Sequence, residues 1–325
     1  MPAIATPATM KVVRIHSFGG PEVLRLEEVP RPEPDTNDLL VHIHAAGVNP
    51  VDWKIREGRF GQISLPAIMG SDFSGVIEAL GPGITDFRVG EVVFGTVADE
   101  SGTYAEYALA PVTHVTEKPP GLDHLKAAAL PIAGLTAWQG LFDAADLRAG
   151  QKVLIHAAAG GVGSLAVQLA RWKGAYIIGT ASGTYMDLAR QLGADEVIDY
   201  RTKHFEDVVR EADVVLDTIG GDTQQRSWQV LKKGGVLVST VQPPSEAVAA
   251  AHGVKGLFIK SDLTRRDELS QIAASNPGPG SGAHRHRSPA QGSPQSPGNE
   301  QKRPCPRKDR AARSRVVFRL PKQIS

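Results

Sequence analysis

The segment Val153-Leu154-Ile155-His156-Ala157-Ala158-Ala159-Gly160-Gly161-Val162-Gly163-Ser164-Leu165-Ala166 limits what this chain can fold into more than any other. Its apolar opening is the length of a buried parallel strand, and its end opens a helix that includes Ala166–Trp172. Gly161, Gly163 and Ala166 match G-x-G-x-x-A in the strand–turn–helix setting that such a motif requires. Gly161 is expected to permit the tight turn. Gly163 is expected to let the backbone approach a pyrophosphate, whose charge the helix N-terminus meets, and Ala166 to keep the helix close to the sheet. Gly160, Gly161, Val162 and Gly163 are thus candidate residues of a dinucleotide site.

The surrounding pattern agrees. Beyond about Leu122, short apolar runs alternate with helical segments. The runs are Val153–His156, Tyr176–Ile178, Glu196–Ile198, Val214–Leu216 and Val236–Val238; the helical segments include Ala127–Ala144 and Tyr185–Leu192. This alternation predicts a doubly wound parallel sheet, hence an α/β fold. Before Leu122 the texture is different. Strands are predicted at Val12–Ile15, Leu39–Ala45, Gly75–Leu80, Glu91–Val97 and Tyr104–Leu109, with Gly81-Pro82-Gly83 and Val89-Gly90 as turns between some of them. Many short strands with Gly/Pro turns read as a β-barrel-like unit. Leu263–Ala274 is helical in pattern.

The chain has 325 residues and a net charge of +1, but the charge is uneven. Residues 275–325 hold 11 Lys/Arg against Glu300 and Asp309, with 8 prolines, so the remainder is acidic. An acidic body gives no reason to expect nucleic acid as a partner. Residues 276–312 read as disordered, since so few apolar groups cannot offset the entropy of ordering. The stretch from 275 to about 312 is expected to be an out-of-frame translation, with the frame restored over Ala311–Leu320 and a strand at Val316–Leu320; a linker or an RNA-binding tail is the alternative. No run of 18 apolar residues occurs, which excludes a transmembrane helix and points away from the membrane. No secretory signal is visible, and the single cysteine, Cys305, excludes intramolecular disulfides and a thiolate-rich zinc site. A cytoplasmic protein is the expectation.

Gly150-Gln151, Leu154, Ala158–Gly161, Gly163, Gln168 and Arg171 together resemble the signature of the quinone oxidoreductase/zeta-crystallin branch of the medium-chain dehydrogenase/reductases. Ala46–Asp52, Gly70–Val76, Gly134–Ala137 and Asp217–Gly221 agree with it. The resemblance covers about residues 10–274. It implies a GroES-like β-barrel catalytic domain (10–122), a Rossmann NADP-binding domain (123–262), a helix returning to the catalytic domain (263–274) and a tail (275–325). It also implies a homodimer.

Zinc alcohol dehydrogenases place a cysteine where this chain has Val48-Asn49 and a Gly-His-Glu where it has Gly70-Ser71-Asp72. Their structural zinc takes four cysteines, and this region has none. No metal site is therefore expected, and His42 and His44, two apart on one strand, read as a polar sheet face. Without a Lewis acid, electron-poor acceptors remain: quinones and α,β-unsaturated carbonyls. The expected activity is NADPH-dependent hydride transfer to such a small molecule. An alkenal/enone double-bond reductase and a non-catalytic NADPH-binding protein are the alternatives.

The resemblance places Asn49 and Asp52 beside nicotinamide and substrate as catalytic residues, although by residue type alone they are equally a turn and a helix cap. Trp53 is a candidate for the substrate pocket. Thr136, Ile219 and Gly220 are implied in cofactor binding, while His156 reads as a hydrogen-bonded core histidine. NADPH is favoured because Gly179–Gly183, where an NAD site presents an acid, has none. Ser182 is the nearest donor for a 2′-phosphate. Tyr200 resembles a family tyrosine that reaches that phosphate, and Arg201 or Lys203 adds positive charge.

Overall fold

The computed structural model describes residues 8–61, 63–98 and 101–275. The N-terminal half contains strands β1 (Thr9–Ile15), β2 (Arg25–Pro30), β3 (Asp38–Ala46), β4 (Ala67–Ile68), β5 (Asp72–Leu80), β6 (Val92–Thr96), β7 (Tyr107–Pro111) and β8 (Val115–Glu117), with helix α1 (Pro50–Arg56) after β3. The second half contains strands β9 (Lys152–Ile155), β10 (Tyr176–Ala181), β11 (Glu196–Asp199), β12 (Ala212–Asp217), β13 (Leu231–Ser239) and β14 (Lys255–Phe258). Its helices are α2 (His124–Ala127), α3 (Pro131–Trp138), α4 (Gly161–Lys173), α5 (Tyr185–Leu192), α6 (Phe205–Val208), α7 (Gly221–Ser227), α8 (Glu246–His252) and α9 (Arg266–Ser275).

In the first half an antiparallel sheet of order β7-β3-β5-β6-β8 lies beside a small sheet of order β2-β1-β4. The Val12–Ala105 bridge and the Glu106 N–H to Lys11 carbonyl bond (3.0 Å) tie the two together, so the strands curl around Leu39, Val41, Phe73, Ile77 and Val93. The alternation expected of β3 holds at His42 and His44, which face solvent between buried Val41, Ile43 and Ala45. Their rings lie 5.2 Å apart, and His42 also stacks on Tyr107 at 4.8 Å.

The second half is one parallel sheet of order β11-β10-β9-β12-β13-β14. The order runs outward from β9 in both directions, so β9 and β12 flank the point where the winding reverses. Helices on both faces explain why β9 is nearly all apolar and buried. The expected doubly wound sheet is the one observed.

Two sequence expectations change. The helical stretch 127–144 is broken, because Pro131 can only sit in the first turn of a helix; α3 starts there and Gln139–Ala144 widens into a π-turn. The last helix runs over Arg266–Ser275, not 263–274. The strands β2, β4, β8 and β14 carry too little local signal to be read from composition. The expectations for 276–325, including the strand at Val316–Leu320, lie outside the described residues. Helix α9 packs Leu269, Ile272 and Ala273 into the main core beside Gly134, where a Cβ would meet Ile272 at 3.0 Å.

Candidate active site

The loop between β3 and α1 is pressed against the start of β5. The Gly47 N–H donates to the Asp72 carbonyl at 2.9 Å. A Cβ at Gly47 would sit 2.5 Å from the Ala128 carbonyl and 2.8 Å from the Asp72 Cβ, so only glycine allows this approach. Two residues later Asn49 caps α1. Asp52, in the first turn, folds back to accept the Asn49 N–H through Oδ2 at 2.6 Å. The Tyr104 hydroxyl donates to the same oxygen at 2.9 Å. The Asn49 side chain donates from Nδ2 to Asp72 Oδ2 at 2.8 Å, and Asp72 Oδ1 accepts the N–H of Ile132 at 3.1 Å.

Two carboxyls are therefore buried on either side of one asparagine. Asp52 is 5% exposed and Asp72 1% exposed. Burial penalises their ionised forms and raises Asp52 to about 6 and Asp72 to about 8; nearby Asp52 adds to the rise at Asp72. The Tyr104 hydroxyl is raised too, by burial and then by Asp52. Asp52 Oδ1 has no hydrogen-bond partner. The sequence does not single out Tyr104, and it points to Asp72 only through the Gly70–Val76 resemblance and the contrast with Gly-His-Glu of the zinc enzymes.

The chain of contacts continues into the second half. Thr136, one turn after Ile132, donates its hydroxyl to the Ile132 carbonyl at 2.6 Å and lies 2.7 Å from the Ser261 hydroxyl. Asn49, Asp52 and Thr136 thus share one network. Trp53 does not join it. Its ring is 39% exposed on α1, with Lys54 and Arg59 about 6 Å from its centroid.

At the carboxyl ends of the parallel strands, the turn after β9 leads into α4, whose N-cap residue is Gly160. Here the glycine roles differ from expectation. A Cβ on Gly163 would fall 2.1 Å from the Ala157 carbonyl oxygen, so Gly163 is the residue that lets helix and strand pack closely. The motif frame therefore shifts by three residues, to Ala158, Gly160 and Gly163. The tight turn takes its left-handed residue at Ala157 (φ 49°), not at Gly161, and Ala166 is simply core. A Cβ on Gly161 would meet nothing within 4 Å, which leaves space at the helix start. A helix N-terminus beside open space fits a pyrophosphate.

Next to this, at the end of β12, Asp217 Oδ1 accepts the N–H groups of Ile219 (3.0 Å) and Gly220 (2.8 Å). Its Oδ2 accepts from Gln224 (2.9 Å) and Ser239 (2.8 Å), fixing this loop from behind. Gly220 takes φ 78°, and Ile219 is exposed. At the end of β10, Ser182 is buried and Gly183 turns with φ 53°. The Arg201 guanidinium comes within 4.0 Å of where a Gly183 Cβ would be, and Tyr200 stands half-exposed beside it. His156 is a core histidine: its ring bonds Ser227 (2.9 Å) and Thr180 (3.2 Å), and burial lowers it to about 4.

A curled antiparallel half, a parallel sheet wound for a dinucleotide and a polar network joining them define the medium-chain dehydrogenase/reductase architecture. Residues 35–120 match the alcohol dehydrogenase GroES-like domain family, and residues 161–261 match the family described as zinc-binding dehydrogenase. The chain belongs to the quinone oxidoreductases of this superfamily. It is 36% identical to the quinone oxidoreductase of Sus scrofa over 281 residues, covering 82% of this chain and 84% of the relative. It is also 36% identical over 253 residues to the NADPH-dependent alkenal/one oxidoreductase, chloroplastic, of Arabidopsis thaliana, covering 73% and 65%. The Escherichia coli quinone oxidoreductase complexed with NADPH superposes with a TM-score of 0.74 at 28% identity, covering 82% of this chain and 86% of that one.

Proposed function

We propose that this chain reduces quinones or α,β-unsaturated carbonyls with a reduced nicotinamide dinucleotide, preferring NADPH, without a metal. The observation that carries this reading is the Asn49–Asp52–Asp72 network, which stands where zinc dehydrogenases keep metal ligands. Among the described residues no three His, Cys, Asp or Glu side chains are grouped to hold an ion. The same reading gives the curled half to the substrate and the parallel half to the dinucleotide, and explains the family likeness to both quinone and alkenal reductases.

When bound, the dinucleotide supplies the hydride. The chain's own residues then have four tasks. The α4 start, through Gly160, Gly161, Val162 and Gly163, meets the pyrophosphate. Ile219 and Gly220, held by Asp217, wall the cleft at the point where the sheet winding reverses. Thr136 and Ser261 offer hydroxyls toward the nicotinamide end. Asn49, held by Asp72, presents its polar edge to the substrate oxygen or the ribose, and Trp53 borders the entrance. The preference for NADPH follows from Ser182, Tyr200 and Arg201 around a turn that has no carboxylate. We further infer a cytoplasmic homodimer joined at β14, the end strand of the parallel sheet among the described residues, where Phe258 is 47% exposed; size-exclusion chromatography with light scattering checks its mass.

The test of function is NADPH oxidation against a panel of quinones, alkenals and enones, after dialysis against a strong chelator. Turnover that survives the chelator is expected. Activity abolished by the chelator and restored by zinc would overturn the metal-free reading, and cofactor binding without turnover on any acceptor would leave a binding protein.

A further inference from the structure

We propose that His156 is a positioning residue for the dinucleotide: as a neutral ring with its proton on Nε2, it joins the turn that opens α4 to the loop that opens α7. The inference rests on the dinucleotide half of the reading above. Burial alone would make His156 no more than a core residue, but the hydrogen bonds around its ring run in one fixed direction.

His156 directly follows β9 and is enclosed, with the ring of Phe205 from α6 edge-on at 4.7 Å. On one side Nε2 lies 2.9 Å from the Ser227 hydroxyl. That hydroxyl donates its single proton to the Thr223 carbonyl, one turn back in α7, at 2.6 Å. It therefore accepts from the ring, which puts a proton on Nε2. On the other side Nδ1 lies 3.2 Å from the Thr180 hydroxyl of β10. The Thr180 oxygen accepts the Ala157 N–H at 3.2 Å, and its own proton points to Nδ1, the bare nitrogen of a neutral ring. A cationic ring would take that acceptor away from the threonine proton. Burial opposes the cation and lowers the ring to about 4; Arg226 acts the same way, while Asp217 and Glu206 act against it.

The donors thus all face one way, from Ala157 through Thr180, His156 and Ser227 to Thr223. Ala157 holds the left-handed turn (φ 49°) where the strand passes into the α4 start. Its carbonyl accepts the Gly160 N–H at 2.7 Å and is the atom that Gly163 has to clear. A side chain with a Cβ is strained in that conformation. The bond from its N–H to Thr180 holds it there, beside the Ala158 N–H to Thr180 carbonyl bond at 2.9 Å. At the other end, Thr223 and Ser227 stand in α7, which follows Ile219 and Gly220. The His156 carbonyl also accepts the Thr218 hydroxyl at 2.9 Å, at the foot of the same loop. One residue therefore fixes the turn before α4 relative to the loop before α7. Removing a member of the series leaves a buried donor or acceptor unpaired.

The experiment uses the full chain. Nitrogen NMR of the isotope-labelled, ligand-free protein at neutral pH reads the ring directly, with His156→Gln to assign the signals; a protonated Nε2 and a bare Nδ1 are expected. Thr180→Val keeps the side-chain shape and removes the hydroxyl. It is expected to move the Nδ1 signal, to weaken NADPH binding in a fluorescence titration about tenfold, and to leave kcat with a p-benzoquinone at saturating NADPH within about threefold. Thr180→Ser returns the hydroxyl and is expected to restore binding. Ser227→Ala removes the acceptor of the Nε2 proton and is expected to weaken NADPH binding by a similar factor, so the test stands even if Thr180→Val does not fold. A histidine with a packing role alone would lower the melting temperature of these variants and leave the NADPH dissociation constant of the folded protein unchanged. That result, or a ring protonated on Nδ1, overturns the proposal while the reductase reading stands. Wild type that binds NADPH with these variant effects but reduces no quinone or enone supports the proposal and overturns the reductase reading. Wild type that binds no NADPH overturns both.

Discussion

Asn49 donates its side-chain amide to Asp72 at 2.8 Å, so the loop that opens α1 is held by the first residue of β5. Because Asp72 also accepts the N–H of Ile132 at 3.1 Å, one buried carboxyl fixes the β3–α1 loop against the helix that carries Thr136. The cost of burying that carboxyl gives the first prediction.

Asp72 is raised to about 8 and Asp52 to about 6 in the folded chain, against about 4 for an unfolded aspartate. Below that unfolded value both states are protonated and no penalty exists. As pH rises from about 4 to about 8 the unfolded chain releases protons that the folded chain keeps, so stability falls. His156, lowered to about 4, works in the opposite direction below about 6.5, losing stability as pH falls. The difference between wild type and Asp72→Asn removes the histidine contribution. The expected outcome is that Asp72→Asn loses less stability than wild type between pH 5 and 8, by about a few kcal/mol. Thermal melting across that range checks it; parallel curves would refute it.

A second prediction separates the two glycines at the start of α4. Gly163→Ala drives a methyl to 2.1 Å from the Ala157 carbonyl, which is backbone and cannot swing aside. It should destabilise the chain by about 2–4 kcal/mol and abolish dinucleotide binding. Gly161→Ala meets nothing within 4 Å, so its melting temperature should stay near wild type while affinity for the dinucleotide drops about tenfold or more. Differential scanning fluorimetry with and without NADPH distinguishes the pair.

That pair also shows how far the sequence could be read. The strand–turn–helix around Gly160 is legible because burial on both faces leaves a short apolar run, and a helix start needs small residues. Its frame was not, since Gly161-Gly163-Ala166 and Ala158-Gly160-Gly163 satisfy the same spacing and differ only in what a Cβ would touch. Asn49 and Asp52 are neighbours in sequence and were visible through the family pattern. Asp72 and Tyr104 reach them by strand pairing across 23 and 52 positions, which local periodicity does not encode. Ser261 meets Thr136 across 125 positions for the same reason. The helix break at Pro131 was legible in principle, and the Ala/Leu content of 127–144 hid it.

A third prediction concerns α9. Ile272 is fully buried against Gly134 of α3 and belongs to the core shared with β9 and α4. Ile272→Ala should cost about 2–4 kcal/mol, since glycine on the facing helix leaves nothing to refill the cavity. Urea denaturation gives the value; a loss below about 1 kcal/mol would mean that α9 is only loosely docked.

The last prediction is the cofactor preference. NADPH differs from NADH by a 2′-phosphate, and at the end of β10 the chain offers Ser182, the Gly183 turn and the Arg201 guanidinium within 4.0 Å of the Gly183 Cβ position. Tyr200 follows β11, the strand paired with β10, and is half-exposed. A carboxylate here would accept the ribose hydroxyls and repel the phosphate; a hydroxyl and a guanidinium do the reverse. Charge-assisted bonds of this kind contribute about 1.5–3 kcal/mol, so Arg201→Ala should raise the KM for NADPH about tenfold or more and leave that for NADH nearly unchanged. Arg201 is exposed, so the change should not touch the core. Ser182→Asp should go further and reverse the preference. Because Ser182 is buried, its melting temperature is measured alongside, and Arg201→Ala carries the conclusion on its own. Steady-state kinetics with both dinucleotides decide. Equal or better efficiency with NADH in wild type would refute the assignment, and an unchanged ratio in Arg201→Ala would remove the arginine from the phosphate site.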